Sequence, residues 1–185
     1  MADSQPSPLI VARNFSRISP WVEIVTRTVE FSPNSEQQIY HAVKTADYVN
    51  ILAVTTSGQI PLVRQYRPAI EDFTFELPAG MLEVGEDPKA TAIRELLEET
   101  GFQAIDVHAL GTYATDSGRL SNQTHSFFIN AGDRIPGFRP EDGIEVRLVN
   151  SAELIGMIMR QEFIVQGHLG TILQAALAGY FDLTH

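Results

Sequence analysis

The segment Gly80–Phe102 reads GMLEVGEDPKATAIRELLEETGF. Its second half is the clearest helix signal in the chain. Asp87 suits the N-cap, Pro88 the first helical position and Gly101 the C-terminal stop. Ala90, Ile93 and Leu97 supply an apolar stripe, with Leu96 beside it. Glu95, Glu98 and Glu99 lie at i, i+3 and i+4, so all three project from one face. Like charges at that spacing destabilise an isolated helix by ~0.2–0.5 kcal/mol per pair. Glu98 and Glu99 also sit near the end where the macrodipole disfavours negative charge. Arg94 can pair with Glu98 at i+4 and orient the glutamates, but one arginine cannot neutralise three carboxylates. Taken alone, the cluster is either a solvated acidic face or a site for a divalent cation. Its hard oxygen donors select Mg²⁺ or Mn²⁺ over Zn²⁺. Before the helix, Glu83 and Glu86 add two acids, and Gly80 permits close backbone approach or a positive φ.

Outward from this segment, β-prone runs alternate irregularly with helical ones. Strands are expected at Tyr48–Thr55, Ile60–Gln65 and Phe73–Leu77 before the helix, and near Val107–Tyr113, Thr124–Asn130 and Glu145–Val149 after it. Ser151 suits the cap of a short helix to about Arg160. A last helix, about His168 to Tyr180, carries Leu169, Ile172, Leu173, Ala176, Leu177 and Tyr180 at helical spacing, a stripe read as core packing. Trp21–Phe31 and Gln38–Thr45 flank a Ser-Pro-Asn-Ser turn and read as a hairpin ahead of the main domain. The first eight or so residues read as a tail. Strands and helices without strict alternation argue an α+β fold, with a mixed sheet between helices. The division expected is residues 1–45, tail and hairpin, and 46–185, the main domain.

The 185 residues include 44% hydrophobic and 19% charged side chains, enough for a core. Thirteen Lys and Arg against 23 Asp and Glu give a net charge of −10, which argues against binding a nucleic-acid backbone. With no cysteine, disulfides, thiolate metal sites and a thiol nucleophile are excluded, and a reducing compartment fits. Neither a signal peptide nor an apolar run of ~20 residues is visible, so a cytoplasmic protein without membrane or nucleic-acid partners is expected.

By spacing, Gly80, Glu86 and Arg94-Glu95-Leu96-Leu97-Glu98-Glu99-Thr100-Gly101-Phe102 match every fixed position of the Nudix box. The chain thus resembles the Nudix hydrolases. The segments Leu62–Pro68 (LVRQYRP) and Phe75–Gly80 (FELPAG) are similar to those of the ADP-ribose and ADP-sugar pyrophosphatases. The resemblance implies a mixed sheet between helices and metal-dependent hydrolysis of a nucleoside diphosphate linked to a sugar, ADP-ribose to AMP and ribose 5-phosphate first. It maps metal ligands to Glu95, Glu98, Glu99 and the Ala79 carbonyl, and catalytic roles to Glu98 and Arg94. Arg67 is implied on the substrate phosphates. Glu141 and Glu145 are the two candidates for a catalytic base. The hairpin implies a homodimer in which aromatics stack on adenine, with Trp21 and Tyr40 at those places. The subfamily's loop maps to Thr115–Asn122. Its usual proline, sixteen residues after the last box glycine, is Ser117 here, and Arg119 stands near it. That departure leaves GDP-mannose, ADP-glucose and dinucleoside polyphosphates as alternative substrates. A non-catalytic sensor of nucleotide sugars is the alternative of another class. His125 and His168 have no metal-ligand spacing and read as structural.

Overall fold

The computed structural model describes residues 8–183, and the tail expected at the start of the chain lies outside them. In chain order the strands are β1 Leu9–Arg17, β2 Glu23–Glu30, β3 Gln38–Lys44, β4 Tyr48–Thr55, β5 Ile60–Arg67, β6 Asp72–Glu76 and β7 Ala79–Met81. They continue as β8 Phe102–Ala114, β9 Gln123–Arg134 and β10 Glu145–Val149. The helices are α1 Pro88–Thr100, α2 Ser151–Met159 and α3 Gln166–Leu177. The chain forms two compact units. One takes the residues up to Ala46 together with Ala114–Asn122; the other takes Asp47–Tyr113 and the residues from Gln123 on.

In the larger unit, β4 is apolar along nearly its whole length because both of its faces are covered. Its side chains alternate between two cores, as a period of two requires. Val49, Ile51 and Ala53 join Ala92 and Leu96 of α1 and Phe127 and Ile129 of β9. Leu52 joins Phe128 with Leu154 and Met157 of α2 and Ile172 of α3. The sheet order is β7-β4-β9-β8, with β4 parallel to β9 and antiparallel to β7. A second, antiparallel sheet runs β10-β5-β6. This is the expected α+β arrangement of mixed sheet between helices.

The smaller unit is a three-stranded antiparallel meander, β1-β2-β3, rather than a hairpin. Almost every β1 side chain is exposed, so β1 carries no inward–outward pattern for a sequence reading to find. The loop 114–122 belongs to this unit, an excursion that no single division at residue 45 contains. Val43 N–H donates to the Arg119 carbonyl at 2.8 Å, and Ser121 N–H donates to the Val43 carbonyl at 3.0 Å.

Both long helices bury only part of the stripe their leucines and isoleucines mark, Leu96 and Ile172, together with small and polar neighbours. In α1 the buried residues are Thr91, Ala92, Leu96 and Thr100, while Ile93 is exposed. In α3 they are His168, Thr171, Ile172 and Ala175, while Leu173 and Leu177 are exposed. Internal partners make the polar residues compatible with burial. The Thr171 and Ser126 hydroxyls lie 3.0 Å apart, and Leu77 N–H donates to His168 Nδ1 at 3.1 Å. The cap of α2 is Asn150 rather than Ser151: its side-chain oxygen accepts from Glu153 N–H at 2.8 Å. No helix among the described residues is long and apolar enough to cross a membrane.

His168 makes the fold pH-sensitive. Burial, with Arg67 nearby and Glu76 opposing, holds its pKa down at about 4 instead of 6.5. The unfolded chain takes up this proton below pH 6.5, whereas the folded chain resists until about pH 4. Stability is therefore complete above 6.5 and falls as the pH drops, by roughly 3 kcal/mol at pH 4 from this group. Urea unfolding at pH 7 and pH 4.5 should show a steeper loss for wild type than for His168→Gln, whose amide oxygen still accepts from Leu77. Equal losses would refute the assignment.

Candidate active site

Helix α1 begins where Asp87 accepts from Ala90 N–H at 3.0 Å and ends at Gly101, whose φ of 77° suits a left-handed cap. A Cβ at Gly101 would also strike the Phe138 ring at 2.3 Å. These two stops set the ends of the helix, and the packing of Ala92 and Leu96 against β4 sets the directions of its glutamates. Glu95 and Glu99 lie next to the buried face and are partly buried, while Glu98 stands out, its side chain 52% exposed. The three carboxylates thus form one cluster with two environments.

Arg94 organises the outer part. Its Nε and Nη2 donate to the two oxygens of Glu86 at 3.1 and 3.2 Å, and its Nη1 donates to Glu95 and Glu98, each at 2.8 Å. Glu86 also accepts from Glu83 N–H at 3.1 Å. The hydrogen bonds from Arg94 and that N–H bring the Glu86 pKa down to about 2. Hydrogen bonding to Glu86 raises the Arg94 pKa further.

The inner part rests on β7. Ala79 N–H donates to Glu99 at 3.0 Å. Burial, reinforced by the charges of Glu95 and Glu76, pushes the Glu99 pKa up to about 8. Burial also raises that of Glu95, against the pull of Arg94. Glu95 lies directly over Gly80, where a Cβ would come within 2.0 Å of its carboxyl carbon. Gly80 therefore serves a close approach and not a positive φ. A strand of only three residues, β7 has no periodicity for a sequence reading to find.

The donor set is hard oxygen, and two of its carboxylates are desolvated and repel one another. A divalent cation relieves that deficit of positive charge, so the residues fit one. Among the described residues, no three His, Cys, Asp or Glu side chains stand gathered as a metal-holding group. Arg94 lies among the carboxylates and draws three of them to itself.

Arg67, at the end of β5, is in the same unit. It donates through Nε to Glu76 at 2.7 Å and through Nη2 to the other Glu76 oxygen. Glu99 and Tyr48 also act on its charge. Glu76 is a further candidate to which sequence reasoning assigns no role, although it lies within the Phe75–Gly80 motif and is a charge in a largely apolar strand end. Glu145 opens β10 and is engaged by Arg64 at 3.2 Å, while Glu141 is exposed in the preceding loop. His125 lies 3.0 Å from the Thr112 hydroxyl, in keeping with a structural role.

The remaining candidates lie in the smaller unit. Tyr40 is paired across from Arg27 and meets Phe31 edge-on at 5.9 Å. Trp21 precedes β2, beyond the Glu23–Lys44 pair, and is 67% exposed. Tyr40 thus stands beside the middle of β2, and Trp21 lies before its start. Ser117 and Arg119 sit in a turn built by Asp116, whose side chain accepts from Gly118 N–H at 2.9 Å and whose carbonyl accepts from Leu120 N–H at 2.8 Å.

Known proteins resemble this chain in sequence and in fold. The chain is 38% identical over 106 residues to the ADP-ribose pyrophosphatase of Bacillus subtilis, covering 57% of each chain. It is 38% identical over 95 residues to the methanol dehydrogenase activator of Bacillus methanolicus, covering 51% of each. It thus spans about half the length of these curated relatives. A crystal structure of an ADP compounds hydrolase has the same fold, with a TM-score of 0.78 at 19% identity over 97% of this chain and 100% of the other. The family model described as NUDIX domain matches residues 44–165, which include β4 to β10, the whole of α1 and α2 and every carboxylate of the cluster. The chain belongs to the NUDIX domain family.

Proposed function

We propose that this protein hydrolyses the pyrophosphate bond of nucleoside diphosphate sugars, ADP-ribose to AMP and ribose 5-phosphate foremost, with Mg²⁺ or Mn²⁺. The observation that carries this reading is the carboxylate cluster of α1, half desolvated and organised by one arginine, against the backbone of β7. Glu95, Glu98, Glu99 and the Ala79 carbonyl are the residues that would hold the metal. When bound, the cation polarises phosphorus, neutralises charge on the leaving phosphate and lowers the pKa of bound water. Arg94 orients Glu95 and Glu98 through its Nη1. Arg67 offers donors to the phosphates. Glu141 is the preferred general base, since it is exposed on a loop, whereas the Glu145 carboxylate is already engaged by Arg64.

The smaller unit is proposed as a dimerisation and base-binding extension. Its exposed apolar side chains, Phe15, Ile18, Trp21 and Ile39, would find cover against a second copy. Trp21 and Tyr40 are proposed to stack on adenine in the homodimer. Ser117 and Arg119 are proposed beside the second sugar. A cysteine-free, acidic chain fits a cytoplasmic location.

One substrate panel tests the reading. With Mg²⁺, kcat/KM should be highest for ADP-ribose among ADP-ribose, ADP-glucose, GDP-mannose and diadenosine diphosphate, should vanish in excess chelator, and should belong to a species sedimenting as a dimer. Ser117→Pro should shift the ratios among the sugars. Cleavage of the dinucleotide alone would overturn the substrate class. Binding of ADP-ribose with no hydrolysis would establish a sensor instead.

A further inference from the structure

Glu76 is among the most deeply buried ionisable side chains of the chain, at 2% exposure, and the proposed chemistry does not use it. Its partners are the Arg67 guanidinium and the hydroxyl of Thr74, itself buried, which donates to the Oε1 that Arg67 Nε also reaches. Burial pushes the carboxyl up, but these hydrogen bonds outweigh it and keep Glu76 ionised at neutral pH. The register makes the pairing notable. Arg67 stands directly across from Asp72, an exposed carboxylate, yet its guanidinium passes Asp72 and runs back along the sheet to Glu76, which is paired across from Val63. That direction leads toward the Pro78-Ala79-Gly80 segment, and the charge of Glu99 acts on the guanidinium there. A buried ion pair by itself adds little net stability, because desolvation offsets the attraction. Fold stability therefore does not account for placing a carboxylate here.

The stoichiometry of the guanidinium suggests another reason. Arg carries five N–H donors in a planar fork. Glu76 engages Nε and Nη2, one edge of that fork. Three N–H donors remain on the other side, on a side chain that is 43% exposed. We propose that Glu76 is a positioning residue: it clamps one edge of Arg67 so that the three remaining donors are held ready for a substrate phosphate. This rests on the proposed role of Arg67. A fork held in place before binding loses less freedom on meeting a phosphate than a free side chain does.

The test is a double-mutant cycle on ADP-ribose hydrolysis by the full chain with Mg²⁺. Glu76→Gln removes the charge and one arm of the clamp, and the half-exposed Arg67 can turn to water, so the protein should fold. It should lower kcat/KM by about 10- to 100-fold, the scale expected of a misplaced binding group. Arg67→Gln keeps one donor for Glu76 but offers no charge to phosphate, and should lower kcat/KM at least as much. If Glu76 acts through Arg67, adding Glu76→Gln to Arg67→Gln should cost less than about twofold further. Thr74→Val weakens the clamp from its other side and should give a smaller loss that is likewise absent in the Arg67→Gln background. The Arg67 Nε–H resonance should exchange slowly with solvent in wild type and rapidly in Glu76→Gln. A Glu76→Gln protein with a lower Tm but unchanged kcat/KM would overturn the proposal, as would equal losses with and without Arg67. An Arg67→Gln protein of full activity would overturn it too, by striking the role of Arg67 beneath it. Absence of hydrolysis by wild type would strike the proposed reaction itself.

Discussion

Glu98→Gln and Glu99→Gln are each expected to lower kcat by about 10²- to 10⁴-fold, since a lost metal ligand removes several kcal/mol of transition-state stabilisation. Folding should survive both changes. At Glu99 the amide oxygen still accepts from Ala79 N–H, and a carboxyl whose charge is penalised by burial is gone. At Glu98 the side chain is half exposed, and Arg94 keeps Glu86 and Glu95 as partners. Steady-state hydrolysis of ADP-ribose with Mg²⁺, beside circular dichroism of each variant, makes the comparison. Full activity in both variants would mean that the acidic face is only solvated surface.

Gly80→Ala is expected to be nearly as damaging, through a different residue. The new methyl would come within 2.0 Å of the Glu95 carboxyl carbon and 2.1 Å of its Oε1. Gly80 has no positive φ to protect, so the backbone tolerates alanine and the flexible glutamate moves instead. Displacing a reacting or ligating group by about 1 Å costs on the order of 10²-fold in rate, and kcat/KM should fall by that much with little change in Tm. The same substitution in a Glu95→Ala background should add almost nothing, because the displaced side chain is already absent. A Gly80→Ala enzyme of wild-type activity would show that Glu95 needs no fixed place.

The local parts of this protein were legible in its sequence. Asp87, Pro88 and Gly101 set the limits of α1 because caps act within one helical turn. Arg94 and Glu98 meet because residues four apart share a helix face, and Glu95, Glu98 and Glu99 are neighbours by the same spacing. The limits of β4 followed from an apolar run between turn residues. The box spacing carried the family.

What lay beyond the sequence depends on contacts between distant residues. In α3, Thr171 finding Ser126 and His168 finding Leu77 turned polar residues inward while Leu173 and Leu177 stayed out, and in α1 packing against β4 took Ala92 and Leu96 inside while Ile93 stayed out. The strand β1, with no apolar alternation, exists because β2 offers it an edge. Only β4 makes three residues at Ala79–Met81 a strand, and that strand gives Glu99 its donor and Glu95 its place over Gly80. Arg67 was visible as a cation in a motif, but its choice of Glu76 over the facing Asp72 was not. Spacing determines which side chains share an element and a face. Burial, and with it the split between a carboxylate near pKa 2 at Glu86 and one near 8 at Glu99, is set by what the rest of the fold packs around them.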